Sequence, residues 1–166
     1  MPTIFRYGLL MGLLCSAWTY FMGFSGWFKD PRLQLAFWVV VLIEVIVLRR
    51  GLRARAAEGR RYWGLVADGT RMAIVASIVI FLGSLLFTTV VFPTYFAELR
   101  EVYTGMLREQ GKTAAEIQQA LAAQGAVQRP LPQASFGAIG TIVTGILVSL
   151  VLARFAESAA ARRRRA

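Results

Sequence analysis

Residues 72–92, MAIVASIVIFLGSLLFTTVVF, form an apolar run of 21 residues without a single charge. An α-helix rises about 1.5 Å per residue, so about 20 apolar residues cross the roughly 30 Å hydrocarbon core of a bilayer. Such a segment must be helical in lipid, because no water is present there to satisfy its backbone polar groups. The run therefore predicts a transmembrane helix.

Three further apolar runs, on both sides of this one, approach the length of a membrane span. Hydrophobic residues make up 57% of the sequence and its mean hydropathy is +0.55, which is more apolar than soluble globular domains usually are. We therefore predict an all-α membrane protein, one membrane domain over residues 1–166, with four transmembrane helices at about 7–24, 33–48, 72–92 and 135–153.

The first run follows a lone Arg6, an arrangement that a cleavable signal peptide also shows. No small-x-small cleavage site follows the run, and Leu14 precedes Cys15 where a lipoprotein signal has a small residue. The aromatic residues near its end are typical of an interfacial belt on a retained helix. We therefore expect residues 7–24 to remain as the first span.

The placement of arginine predicts the orientation. Net charge is +10, and the basic residues concentrate in the predicted loop 49–71 and in the tail 154–166. By the positive-inside rule both segments face the cytoplasm, which puts the remaining connections outside. We predict a multi-pass protein of the bacterial inner membrane with cytoplasmic N and C termini.

The connection between the third and fourth spans is long enough to be a structural unit. Apolar residues recur at three- and four-residue spacing from Phe96 to Leu107, and Gly111 then ends this pattern. Thr113 and Glu116 have the spacing of a capping box for a second, shorter helix. The sequence therefore predicts an extracytoplasmic helical hairpin at about 94–125.

The residue types that most enzymes and metal sites rely on are scarce. The chain has no histidine and one cysteine, Cys15, so it lacks an internal disulfide, a His-ligated metal and a Ser-His-Asp triad. We therefore expect no catalytic residue, no metal site and no cofactor, and we predict that the protein is not an enzyme.

Stripes of small residues mark two helices as packing surfaces, because such residues let neighbouring helices approach closely in a membrane. The predicted helix-packing residues are Gly8, Gly12 and Ser16 in the first span and Gly137, Thr141, Gly145, Ser149 and Ala153 in the fourth. The stripes either meet inside one bundle or form an interface in a homo-oligomer or a larger membrane complex.

Glu44 is the one acidic residue well inside a predicted span. An ionisable group in the hydrocarbon region is a functional hypothesis by default, here a proton relay or a cation site. The alternative is structural, since Glu44 lies five residues before Arg49 and a side chain near a helix end can reach the interface. Asp68 is expected to cap a helix or to pair with Arg61 or Arg71.

Arginines at the predicted cytoplasmic face fit anionic lipid head groups, which attract basic residues near the membrane surface. The predicted contacts are Arg49, Arg50, Arg53, Arg55, Arg162, Arg163, Arg164 and Arg165. Nucleic acid is not an expected partner, because the tail lacks the aromatic interleaving or the fold that such binding needs.

Aromatic residues gather near the predicted outer face. They are Trp27, Phe28, Phe92, Tyr95, Phe96 and Tyr103. They form either an interfacial belt together with the buried face of the outer hairpin, or the lining of a pocket for a lipid or quinone-like molecule.

Several local motifs resemble those of the uncharacterised bacterial membrane family catalogued as domain of unknown function 4199. They are YGLLMG at 7–12, WGLVADG at 63–69, Phe92-Pro93, GKTAAEIQQAL at 111–121, and Gly140 and Gly145. The resemblance covers nearly the whole chain and implies a four-span protein with a helical outer loop. The family has no assigned activity that the resemblance could carry over to this chain.

The function expected from the sequence is that of a non-catalytic accessory or assembly subunit that packs against other membrane helices. The small-residue stripes and the scarcity of catalytic residue types motivate it. One alternative is a small oligomeric transporter or channel that uses Glu44. Another is a lipid-binding or lipid-modifying membrane protein.

Overall fold

The structure is a computed structural model that describes residues 2–30, 32–125 and 127–163, with side chains in the last segment described as far as Ala161. The described residues are almost entirely helical. We number the α-helices as α1 (Thr3–Phe24), α2 (Val39–Ala57), α3 (Tyr62–Leu86), α4 (Tyr95–Glu109), α5 (Ala114–Gly125) and α6 (Pro130–Arg163). The all-α fold class predicted from the sequence is confirmed for these residues.

Three helices are long and apolar enough to cross a membrane. They cover Thr3–Phe24, Tyr62–Val91 and Pro130–Ala161, and each contains one of the predicted runs, except that Phe92 at the end of the run 72–92 lies just beyond its helix. The third of the predicted runs continues from α3 into a π-helical turn at Phe87–Val91. On this ground the chain is a membrane protein.

The second predicted span, 33–48, has a different form. Its first part is a 3-10 helix at Leu33–Trp38, and α2 begins only at Val39 and continues to Ala57. The second half of α2 is rich in arginine, and α2 is not among the three helices that are apolar enough to span. The structure thus shows three candidate spans where the sequence predicts four.

The segment 49–71, expected to be a basic loop, is mostly helical. It contains the end of α2 and the beginning of α3, joined by a short turn at residues 58–61. Gly59 has a φ of +92°, a conformation that glycine adopts without steric cost. The hydropathy pattern failed here because arginine is a good helix former, so a helix can continue past the end of its apolar stretch.

The last helix is also longer than predicted. α6 begins at Pro130 and continues through the expected tail to Arg163. Proline is favoured in the first turn of a helix because its missing N–H would have no partner there. The two prolines before the fourth run therefore start the helix and do not form a separate connection.

α3 lies at the centre of the bundle. It packs along α1 on one side and along α6 on another, while α2 contacts α1, α3 and α6. One buried cluster includes Met11, Leu48 and Met72, so it joins α1, α2 and α3. A second cluster, nearer the turn at 58–61, includes Leu52 and Leu65.

α4 and α5 contact each other and have the bounds predicted for the outer hairpin. Gly111 turns the chain between them with a φ of +74°. The capping box is present, since the Thr113 amide donates to Glu116 Oε2 at 2.8 Å and the Glu116 amide donates to Thr113 Oγ1 at 3.4 Å. The hydrogen bonds that the Thr113 amide and hydroxyl donate to the Glu116 carboxylate lower the pKa of Glu116.

Candidate functional site

The small-residue stripe of α1 lies directly against α3. A Cβ added at Gly8 would be 2.7 Å from the Met72 carbonyl oxygen, and one added at Gly12 would be 2.7 Å from Val79 Cβ. Ser16 faces Gly83 in the same way. The helices are therefore so close along this seam that larger side chains do not fit.

The stripe of α6 faces α3 as well. A Cβ on Gly145 would clash with Ala73, and one on Gly69 would clash with Ser149. Ala153 is fully buried, whereas a Cβ on Gly137 would make ordinary contact with Ile80 at 3.7 Å. Both stripes are thus occupied within one chain.

Glu44 is buried inside the bundle. Its side chain belongs to α2, only 2% of the residue is exposed, and Oε2 has no hydrogen-bond partner among the described residues. Thr141 of α6 lies beside the carboxyl group. A buried carboxyl oxygen without a donor is costly, which makes Glu44 a candidate for a functional role.

Asp68 holds the ends of α2 and α3 together. Its carboxylate is fully buried and receives Arg55 Nε at 2.8 Å, Arg71 at 3.2 Å and Arg60 Nε at 3.5 Å. The pair with Arg71 was one of the two partners expected from the sequence, whereas Arg60 takes the place expected for Arg61. Arg60 and Arg55 approach because the short turn brings the two helices together, which sequence spacing alone does not reveal.

The arginines predicted to contact lipid divide into two groups. Arg49, Arg50 and Arg53 are exposed on α2, whereas Arg55 is drawn inward by Asp68 and also pairs with Glu58. Arg162 and Arg163 belong to α6, but their side chains are outside the described part, and Arg164 and Arg165 lie outside the described residues altogether.

Aromatic side chains form a connected cluster at the end of the bundle opposite Asp68. Phe87, in the π-helical turn, is 3% exposed and packs against Tyr20 with ring centroids 4.9 Å apart and against Tyr95 at 5.7 Å. Gly23 makes room for it, since a Cβ there would overlap the Phe87 ring. π-helical turns are rare in proteins as a whole. Those that occur are frequently found at functional sites, because the extra residue redirects side chains.

This aromatic cluster, the outer cluster, borders a cavity of about 370 Å³. The lining combines aromatic and aliphatic side chains with hydroxyl and amide groups, and none of the lining side chains carries a charge at neutral pH. The lining residues are Thr19, Met22, Gly23, Phe28, Gln34, Phe37, Ser84, Phe87, Thr88, Tyr95, Leu99 and Gln133.

Tyr95 contributes a phenol hydroxyl group to the lining of this cavity. Burial raises the pKa of Tyr95, so the phenol remains protonated at neutral pH and is able to donate a hydrogen bond. The Tyr20 hydroxyl is already used, because it donates to the Gly83 carbonyl at 2.8 Å. Of the six aromatic residues expected to form a belt or a pocket, Phe28 and Tyr95 line the cavity and Phe92 packs behind them.

Sequence reasoning missed the polar part of the cavity. Thr19, Ser84, Thr88, Gln34 and Gln133 come from four separate segments and carry no common motif. The weak signal was the hydroxyl residues Ser84, Thr88 and Thr89 near the end of the apolar run 72–92. No group of three or more His, Cys, Asp and Glu side chains is placed to hold a metal ion within the part of the chain that the structure describes.

Comparison with known proteins identifies the family. No curated protein and no solved structure matched the chain. One family profile matches residues 6–158, which include all of α2 to α5 and most of α1 and α6. The chain therefore belongs to the family described as "Protein of unknown function (DUF4199)".

Proposed function

We propose that the protein crosses the bacterial inner membrane four times, with both termini in the cytoplasm. Residues 33–57 are helical without interruption, and Glu44 is the one charged residue among the first sixteen. α2 packs beside α1 and α6, which are themselves long and apolar enough to span. The arginine-rich turn at 58–61 then faces the cytoplasm, and α4 and α5 lie outside.

Single-cysteine variants test this topology in a Cys15→Ala background. Asp30, Glu58 and Gln110 are exposed positions in successive connections. A membrane-impermeant maleimide added to intact spheroplasts is expected to label Asp30→Cys and Gln110→Cys, but Glu58→Cys only after lysis. Equal protection of Asp30→Cys and Glu58→Cys would show that α2 does not cross.

We further propose that the protein is non-catalytic and binds a neutral, lipid-like molecule in the cavity beside the outer cluster. The cavity carries this proposal, because a volume of about 370 Å³ lined by aromatic rings and a few polar groups is typical of small-molecule sites. The uncharged lining favours a ligand with an uncharged polar head, such as a diacylglycerol or a quinone-like ring. Tyr95 and the hydroxyl groups would orient that head.

Photo-crosslinking tests whether the cavity takes up lipid. The probe is a diazirine-bearing diacylglycerol in nanodiscs that contain the purified full chain. We expect cross-links in peptides that include Met22 to Phe28 and Phe87 to Leu99. Uniform labelling of all lipid-facing helix surfaces would contradict a specific site.

Two tryptophan substitutions in the same π-helical turn provide the matched comparison. Thr88 is 5% exposed and lines the cavity, whereas Val90 is 68% exposed and does not line the cavity. Thr88→Trp is expected to fill the cavity and to remove these cross-links, and Val90→Trp is expected to leave them. Leu99→Trp fills the cavity from α4 and provides a second test if Thr88→Trp does not fold.

A second candidate function is proton or cation coupling through Glu44, and the burial of its unpartnered oxygen favours it. Purified protein in liposomes with an internal pH dye would show proton entry, and a potassium-sensitive dye would report cation entry. Glu44→Gln is expected to abolish the flux, while Glu58→Gln, at an exposed position, preserves it. Identical flux in Glu44→Gln and in the unmodified protein would exclude this function.

The accessory or assembly role stays a proposal with a changed basis. The stripes of α1 and α6 that motivated it face α3, so a partner would need another surface. α4 and α5 offer one, because they pack mainly on each other. Co-purification in mild detergent followed by mass spectrometry tests this role, and recovery of the chain alone would count against it.

A further inference from the structure

A groove with a volume of about 560 Å³ runs between α2 and α6 at the Asp68 end of the bundle. Val45, Arg49 and Arg53 line it from α2, and Leu152 and Phe155 are among the residues that line it from α6. It is separate from the cavity beside the outer cluster, since the two share no lining residue.

The α2 side of the groove changes from apolar to basic along its length. Val45, Arg49 and Arg53 are four residues apart, so they lie on one face of the helix, about 6 Å from one turn to the next. Both arginines are exposed, and neither pairs with a carboxylate among the described residues. Two guanidinium groups at this spacing present several N–H donors to one phosphate.

The α6 side supplies the apolar surface. Phe155 is 67% exposed and Leu152 is partly buried, so the groove offers hydrocarbon contact just beside the arginines. No residue lining the groove is acidic. This combination of a basic end and an apolar wall matches a phospholipid, whose phosphate lies at the interface while its acyl chains point into the bilayer.

We propose that this groove binds one anionic phospholipid of the cytoplasmic leaflet, with the phosphate between Arg49 and Arg53 and an acyl chain along Val45 and Leu152. Basic pockets between transmembrane helices on the cytoplasmic side commonly hold anionic head groups. The leaflet assignment rests on the proposed topology, whereas binding itself does not, because the groove is present whichever side it faces.

Native mass spectrometry of the full chain in detergent measures this binding directly. The probes are phosphatidylglycerol and phosphatidylcholine with identical acyl chains, added separately. We expect one phosphatidylglycerol to remain bound per chain and phosphatidylcholine to bind much more weakly. Soluble glycerol phosphate is expected not to compete; if it does, the site recognises free phosphate and the lipid assignment fails.

Two double variants distinguish lipid binding in the groove from diffuse attraction of the lipid by positive charge. Arg49→Gln with Arg53→Gln is expected to weaken phosphatidylglycerol binding roughly thirtyfold, from about fivefold for each lost arginine. The control is Arg6→Gln with Arg50→Gln, which removes the same charge from exposed positions outside the groove. Equal losses in both double variants would overturn the proposal.

Arg49→Lys with Arg53→Lys covers the case in which the glutamine variant does not fold. It keeps the charge but loses the planar donor geometry, so binding should weaken by less than in the glutamine variant while the preference for phosphatidylglycerol persists. Unchanged binding in every variant would also overturn the proposal. The photo-crosslinking of the outer cavity and the maleimide labelling report on other regions, so their failure is distinguishable.

Discussion

At the scale of single residues, space and charge at a few positions fix how the helices meet. Gly8, Gly12 and Gly145 bring α1 and α6 against α3, and larger side chains there would collide with α3. Asp68 acts differently, because it is a buried carboxylate held by three arginines. The helix contacts at the glycines are disrupted when atoms are added. The contacts at Asp68 are disrupted when its charge is removed.

Gly12→Ala is expected to destabilise the protein by about 1–3 kcal/mol, the usual cost of overpacking a rigid contact. The new Cβ would lie 2.7 Å from Val79 Cβ and 2.9 Å from the Ala76 carbonyl oxygen. Thermal unfolding in detergent measures the loss. Gly140→Ala is the control, since nothing lies within 4 Å of its Cβ position and the change should be neutral or slightly stabilising.

Asp68→Asn is expected to cost about 1.5–3 kcal/mol, the range for losing charged hydrogen bonds. The variant leaves Arg55 facing a neutral amide in a partly buried position. Denaturant titration of the purified chain checks the value, with Glu101→Gln at an exposed position as the control. Equal stability of the two variants would show that the ion pairs between Asp68 and its arginines do not stabilise the folded chain.

At the scale of elements, α4 is attached to the bundle by the packing of Tyr95 on Phe28 and Phe87 and by an ion pair. α4 contacts the short 3-10 helix at Trp27–Lys29, and Lys29 Nζ lies 2.5 Å from Glu98 Oε2. The hydrogen bond from Lys29 and that from Thr94 lower the pKa of Glu98. α4 was predictable because its apolar residues follow one face, but this tie was not, since Lys29 and Glu98 are far apart in sequence.

Acidification is expected to loosen the start of α4. Glu98 has a lowered pKa in the folded chain, so the tie contributes fully above the ordinary value of 4.5 and is lost as the pH falls through the lowered pKa. Hydrogen exchange of amides at the start of α4 should therefore accelerate in strong acid beyond its intrinsic pH dependence. Glu98→Gln should show the faster exchange already at neutral pH, whereas Glu101→Gln should behave like the unmodified chain.

At the scale of the whole molecule, the sequence predicts what is repeated and local. Long apolar runs located α1, α3 and α6, and the capping box located α5. The structure departs from the prediction at the second run because 33–48 is short and its helix continues into arginines, where hydropathy and helix formation diverge. The cavity and the groove were not predictable as sites, because each is assembled from segments that touch only after the bundle forms.

The packing of the described bundle also predicts the oligomeric state of the purified chain. Because both small-residue seams are occupied by α3, we expect the seams to make no contact between copies. Gly145→Leu should therefore lower stability, since its Cβ would collide with Ala73, without changing the mass of the native particle. Native mass spectrometry in mild detergent checks this; a stable dimer that Gly145→Leu dissociates would place the seam between chains.

The central position of α3 also sets an order of events during synthesis. Gly8 and Gly12 of α1 contact Met72 and Val79, so the main partner of the first helix is made about 60 residues later. At elongation rates of about 5–20 residues per second, α1 waits about 3–12 s with its seam exposed. The nascent chain is thus most vulnerable to mispairing of α1 before α3 has been made.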